Sequence, residues 1–243
     1  MIQRTRERLY RHYVEAASAP LAPETVEGLE PRGPVLRRLI TDHFPPSRAA
    51  RILELGCGHG ALLHFARAAG YTDISGVDGS PAQVAAAQRL GIPGVVQGEL
   101  LTALKAAAPA SYDAVVAYDV IEHLTKDELL DMADEVARVL KPRGRWIIHA
   151  PNGLSPFCGA MAYGDLTHEQ AFTPESLTQL FLACGFREAS FHEDPPAVRG
   201  AASAVRAVLW RLIRQLMRFA LVIETGMTEY RVFTINLIAV AVK

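Results

Sequence analysis

The sequence predicts an α/β protein built on a mostly parallel sheet with helices on both faces. Three observations carry this. Short apolar runs rich in β-branched residues recur at 51–55, 73–77, 94–97, 112–118 and 145–150. Helical stretches at 60–69, 81–90 and 126–140 lie between them. Strands alternating with helices imply right-handed crossovers and parallel neighbours. The composition, 50% hydrophobic and 21% charged, supplies a core and excludes disorder.

In chain order, the segment to about residue 18 reads as a polar helix carrying Tyr10 and Tyr13. Those rings are candidates to close a ligand pocket, although helix-face aromatics more often serve a core. Pro20, Pro23, Gly28, Pro31, Gly33 and Pro34 then impose a loop. A short helix over 34–43 precedes the break at Pro45-Pro46. Within 126–140, Leu129, Met132, Val136 and Val139 fall at helical spacing. The 173–185 helix opens with a Ser/Thr cap pattern and proline at its first position, and stops at Gly185. The closing YRVFTINLIAVAVK is a long strand candidate. The expected organisation is N-terminal helices and a pocket cap over 1–47, the main domain over 48–194 and 225–243, and a helical insertion over 195–224.

Lys+Arg is 25 and Asp+Glu is 26, a net charge of −1, so a long nucleic-acid groove is not expected. Three scattered cysteines are too few for a disulfide framework or a structural zinc site, which predicts a reducing, cytoplasmic setting. The first residues show no apolar signal core, and no window of about 18 residues lacks charge, so neither a leader nor a membrane span is expected.

Residues 52–60 read Ile-Leu-Glu-Leu-Gly-Cys-Gly-His-Gly: a strand ending in an acid, a glycine-rich turn, then a helix. Gly56, Gly58 and Gly60 remove Cβ atoms where a ligand must touch backbone, and the helix start offers amides. A dinucleotide is disfavoured on two counts. Glu54 suits an ammonium group better than a pyrophosphate, and the full G-x-G-x-x-G spacing is missing. Asp78, ending the second strand, can accept two ribose hydroxyls. Cys57 reads as a small filler in the turn.

With ILELGCGHG, GVDGS (76–80), GEL (98–100), YDAVVAYDVIEHL (112–124) and LKPRGRWIIHAPN (140–152) in this order, the chain resembles the class I S-adenosylmethionine-dependent methyltransferases. The resemblance implies a Rossmann-like, seven-stranded sheet whose last strand is an antiparallel insertion. It places the methionine part of the cofactor on Glu54 and the Gly56, Cys57, Gly58 and Gly60 turn. It puts the ribose on Asp78, the adenine between Gly79, Glu99 and Leu100, and Asp119 where methionine end and substrate meet. Arg32 matches an arginine that related quinone-pathway enzymes use on the methionine carboxylate.

An alcohol acceptor needs a base or a metal to lose its proton near neutral pH. Asp119, Glu122 and His123 share one face if their turn is helical, and two carboxylates with an imidazole suit Mg²⁺ or Mn²⁺. A similar run binds a metal in ubiquinone-pathway O-methyltransferases and small-RNA 3′-end methyltransferases, and by that resemblance His168 is the fourth ligand. Aspartate at 119 departs from the usual glutamate. Two readings stand open: a metal held by Asp119, Glu122, His123 and His168, or a metal-free base, His123 or His168. His149 ends the fifth strand, where a lone histidine is more often structural. Tyr163, Asp165 and Glu169 fall on the loop expected to cover the acceptor, where Asp165 could bind a hydroxyl or steady His168.

Between Asp194 and Glu224 there is no acidic residue, and Arg199, Arg206, Arg211, Arg214 and Arg218 fall in this stretch. The last four cover about 140° of helical arc, with Val205, Leu209, Leu212, Leu216 and Ile223 largely opposite. Either 199–223 lies on an anionic membrane or caps a lipid-linked acceptor, or its apolar side packs on the domain or on a second subunit while the arginines face water. The tail resembles bacterial polysaccharide and secondary-metabolite methyltransferases. The expected activity is O-methylation of a small hydroxylated acceptor, a sugar or glycan end before a quinone or phenol. N-methylation, and a non-catalytic methyltransferase-like interaction subunit, are the alternatives.

Overall fold

The computed structural model describes residues 22–243. The expected opening helix, with Tyr10 and Tyr13, lies outside the described residues. Seven strands form one sheet: β1 (Ile52–Leu55), β2 (Ile74–Asp78), β3 (Val95–Gln97), β4 (Tyr112–Tyr118), β5 (Leu140–Pro151), β6 (Glu188–Glu193) and β7 (Asn236–Val242). Their order is β3-β2-β1-β4-β5-β7-β6, and β7 runs antiparallel to both neighbours. The helices are α1 (Gly33–His43), α2 (Ala61–Ala68), α3 (Pro81–Arg89), α4 (Leu100–Ala106), α5 (Lys126–Val139), α6 (Cys158–Ala162), α7 (Pro174–Ala183) and α8 (Ala201–Thr225). This is the Rossmann-like methyltransferase architecture.

The sheet separates two apolar layers. Trp146 and Ile148 of β5 join the layer of α5 and α7, while Ile147 between them joins the layer of α1 and α2. That alternation is the period of a strand, and covering both faces explains why β1 is buried at all four positions. Trp146 is fully buried, its ring 5.9 Å from that of Phe181 and 5.8 Å from that of Phe186. α5 begins on a capping box: the Glu128 amide donates to the Thr125 hydroxyl at 3.3 Å, and the Thr125 amide donates to the Glu128 carboxylate at 2.9 Å. Leu129, Met132, Val136 and Val139 all face inward.

β5 starts five residues ahead of the apolar run because Leu140 already pairs with Tyr112, before a register shift. β6 reads Glu-Ala-Ser-Phe-His-Glu, an edge strand with no fully buried residue, so it shows little apolar pattern. α4 and α6 are short helices that periodicity does not announce.

Strand order reverses between β1 and β4, and the crevice at the carboxyl ends of these strands is where ligands bind in such sheets. Asn152 holds the rim of that edge. Its amide donates to the carbonyls of Val232 at 3.0 Å and Thr234 at 2.8 Å, and its side-chain oxygen accepts from the Leu154 amide at 3.0 Å. Asn152 is fully buried, so Asn152→Ala strands those groups without water. A loss of about 2–4 kcal/mol is expected, read as a lower urea midpoint at unchanged slope.

Candidate active site

The β1–α2 turn is shaped by crowding. Gly56 has φ +64° and Gly60 has φ +80°. A Cβ on Gly56 would stand 2.6 Å from a Val120 methyl, and one on Gly60 would stand 2.9 Å from methyls of Ile92 and Val95. Gly58 differs: its missing Cβ would meet only Gln83, with Oε1 at an ordinary 3.6 Å, so its constraint is a φ of +54°. Cys57 is buried against Gly76, where burial pushes its thiol well above the usual range. It therefore fills the turn and is no nucleophile.

Glu54 stands beside this turn, 4% exposed, and its Oε2 atom has no hydrogen-bond partner. Burial raises its carboxyl pKa well above the ordinary value, the charge of Arg32 opposes that, and Asp78 adds to it. An orphaned buried carboxylate beside a glycine turn fits the ammonium end of an amino-acid ligand. Arg32 caps the start of α1 and sets its guanidinium 5.5 Å over the Tyr118 ring. Asp78 is oriented through backbone: Oδ2 accepts from the Gly58 amide at 2.7 Å and Oδ1 from the Ser80 amide at 2.8 Å. Each oxygen keeps a further lone pair for a hydroxyl. Glu99 has a local task, accepting from the amides of Leu101 at 3.0 Å and Thr102 at 2.6 Å as the cap of α4. Leu100 is half-buried and Gly79 is exposed beside it in the crevice.

Asp119 does not share a face with Glu122 and His123. It has φ +55° and precedes a 3₁₀ turn, Ile121–His123. Its Oδ1 instead meets His149 Nδ1 at 2.5 Å. His149 is buried, stacked on Tyr118 with centroids 4.1 Å apart and planes 7° from parallel. Its Nε2 reaches Asp194 at 3.3 Å, and Asp194 is bound by Arg38 at 2.6 Å. Tyr118, Asp194 and Arg38 were not singled out by motif. Tyr118 only needed its place before Asp119, whereas Asp194 and Arg38 arrive from distant segments.

Glu122, His123 and His168 converge, with one ligand atom from each lying within 4.8 Å of the others. Among the described residues this is the group with metal-ligand geometry, and Asp119 is outside it. Glu122 is 1% exposed, its Oε2 has no partner, and burial, with the charge of Asp119, pushes its pKa up to about 8. The imidazoles of His123 and His168 meet edge to face, centroids 4.7 Å apart. The Thr167 hydroxyl donates to Asp165 at 2.7 Å and so accepts from His123 Nδ1 at 2.9 Å. His168 Nδ1 donates to the Met161 carbonyl at 2.8 Å. Both rings then carry the proton on Nδ1 and the lone pair on Nε2, the tautomer that suits a ligand or a base. Asp165 thus steadies His123 through Thr167. Glu169 donates its amide to the Glu122 carbonyl at 2.7 Å, while the Tyr163 side chain is exposed.

Of the readings for 199–223, packing of the apolar side on the domain is not what the structure shows. Leu209, Leu212 and Leu216 of α8 face solvent, while Arg214 turns inward to pair with Glu193 of β6.

Burial pulls the His149 pKa down, but the charges of Asp119 and Asp194 outweigh it and hold it up at about 9. A histidine raised above its unfolded value of about 6.5 contributes stability below that pH, and the contribution is lost as pH rises through about 9. Thermal melts from pH 6.5 to 9.5 should show a loss of about 3 kcal/mol. In His149→Gln that pH slope should vanish.

Residues 53–146 match the family model of the methyltransferase domain. Curated proteins yield no significant match. A methyltransferase from Archaeoglobus fulgidus, S-adenosylmethionine-dependent, superposes with a TM-score of 0.65 at 19% identity, over 98% of this chain and 99% of that one. One from Mesorhizobium loti gives 0.60 at 18%, over 89% and 100%. A Haloferax volcanii protein solved with the Trm112 methyltransferase activator gives 0.62 at 17%, over 89% and 92%. These likenesses show the fold, that of S-adenosylmethionine-dependent methyltransferases, and within it residues 53–146 match a methyltransferase domain in sequence.

Proposed function

We propose that the chain transfers the methyl group of its donor, S-adenosylmethionine, to a hydroxyl oxygen of a small acceptor, a sugar or glycan end before a quinone or phenol. The convergence of Glu122, His123 and His168 carries this reading. A neutral amine attacks through a lone pair it already has, and a fraction of it is present near neutral pH without help, whereas an alkoxide is not. An alcohol needs help in losing its proton.

In this reading Glu54 takes the donor's ammonium, Arg32 its carboxylate and Asp78 its ribose hydroxyls. The glycine turn lets the methionine part lie against backbone, and the adenine passes Gly79, Glu99 and Leu100. The acceptor oxygen forms a bond to the methyl carbon as the carbon–sulfur bond breaks and its electron pair stays on sulfur. Much of the acceleration comes from holding the two in line.

Glu122, His123 and His168 would hold a divalent cation such as Mg²⁺ or Mn²⁺, to which the unpartnered Glu122 oxygen and two Nε2 lone pairs are suited. When bound, such an ion supplies Lewis acidity that eases loss of a hydroxyl proton near neutral pH. A second reading rests on the Asp165–Thr167–His123 relay, which orients His123 as a metal-free base taking the proton at Nε2.

Two measurements test the site. Glu54→Gln keeps the shape and removes the charge, so calorimetry should show donor binding weakened by about 10–100-fold, the worth of one charge-assisted contact. In a screen of hydroxylated acceptors with labelled donor, a chelator should cut turnover by about 100-fold or more and Mg²⁺ or Mn²⁺ should restore it. His168→Ala should show the same loss with donor binding intact. Turnover indifferent to the chelator removes the cation and leaves His123 as the base; methyl label recovered only on nitrogen overturns O-methylation.

A further inference from the structure

α8 is amphipathic with its greasy side outward. None of its 25 residues is buried. Leu209, Leu212, Leu216, Phe219 and Ile223 are between 53% and 69% exposed. At 100° per residue these five centre on one line along the helix. Arg206 and Arg211, both exposed, lie about 100–120° to either side of that line, on its two margins. Arg214, paired with Glu193, and Arg218, donating to the Thr228 carbonyl at 3.3 Å, turn inward.

A second element meets α8 on its other side, where Trp210 lies about 140° from that line. The Phe157 ring packs 5.8 Å from that of Trp210 on α8. Phe157, Tyr163 and Leu166 are 52%, 86% and 82% exposed. Leu166 is followed directly by Thr167 and His168 of the ligand cluster. Exposed apolar side chains thus stand on the helix and, separately, on the segment that leads into the candidate acceptor site. Soluble surfaces rarely expose an apolar face of this size without a use for it.

We propose that α8 seats the protein on an anionic lipid bilayer, its apolar row lying in the plane of the interface. The charge pattern decides between a bilayer and a second copy of the chain. A two-fold contact sets the same patch against itself, bringing Arg206 and Arg211 of both copies to one interface whose helix has no acid between Asp194 and Glu224. Anionic head groups answer arginines on both margins at once while the apolar row enters the acyl boundary. Among the described residues no helix is long and apolar enough to cross a membrane, so α8 lies on the surface.

The test is co-sedimentation of the full chain with phosphatidylcholine vesicles, with and without phosphatidylglycerol. It needs neither donor nor acceptor, so it reads docking apart from catalysis. The expected result is binding to the anionic vesicles alone, weakened by raised salt. Leu212→Glu/Leu216→Glu should lower partition by about 10-fold or more, two charges entering an apolar interface. Arg206→Glu/Arg211→Glu should abolish the preference for anionic lipid. Both double substitutions lie at exposed positions, and circular dichroism with donor calorimetry checks that each variant is folded. Absence of sedimentation at low salt, equal binding to both vesicle types, or binding unmoved by the leucine pair overturns the proposal. So does a dimer in ultracentrifugation that the leucine pair splits, with no vesicle binding.

Discussion

A carboxylate that the chain itself leaves unanswered, sealed at the carboxyl end of the central strand, is the constraint around which the site is arranged. Burying an uncompensated acid costs several kcal/mol, and the fold carries that cost at Glu54. The neighbouring glycines keep backbone close and side chains away. Arg32 lies near enough to temper the charge without a bond to it, and Asp78 is held by two amides one strand over. Each arrangement has a local cause, and together they suit the proposed contacts to the donor's amino-acid end.

From that end a column of stacked groups leads toward the acceptor side. Arg32 covers Tyr118, Tyr118 lies flat on His149, and His149 holds Asp119 from below. The column alternates charge and aromatic face, and Arg38 and Asp194 brace its base. The left-handed turn at Asp119 then brings the chain to Glu122 and His123. Few residues separate the two halves of the site, and those few are held on both sides of the strand.

Much of this was legible in the sequence because it is local. The glycine turn, Asp78 and the Glu122-His123 pair are defined by spacing of a few residues, and the strands announce themselves by apolar runs between helices. What was hidden has particular causes. Asp119 was expected beside Glu122, but its positive φ swings the side chain to His149, and no spacing rule foresees that. Asp194 and Arg38 meet His149 only after the sheet has brought β5, the end of β6 and α1 together. β6 shows a polar pattern because an edge strand has little to bury. The helical wheel of α8 separated two faces but could not say which one turns inward; the ion pair of Arg214 with Glu193 decides it.

α8 leaves the sheet after β6 and re-enters at β7, and these strands are antiparallel neighbours. Its point of return is gripped by Asn152 through the carbonyls of Val232 and Thr234. An element suspended between two anchored ends can lengthen, shorten or change its chemistry while the hydrogen-bond ladder behind it keeps its register. The architecture thus sets aside one stretch of chain whose outward surface can be rewritten without disturbing the crevice at the strand ends.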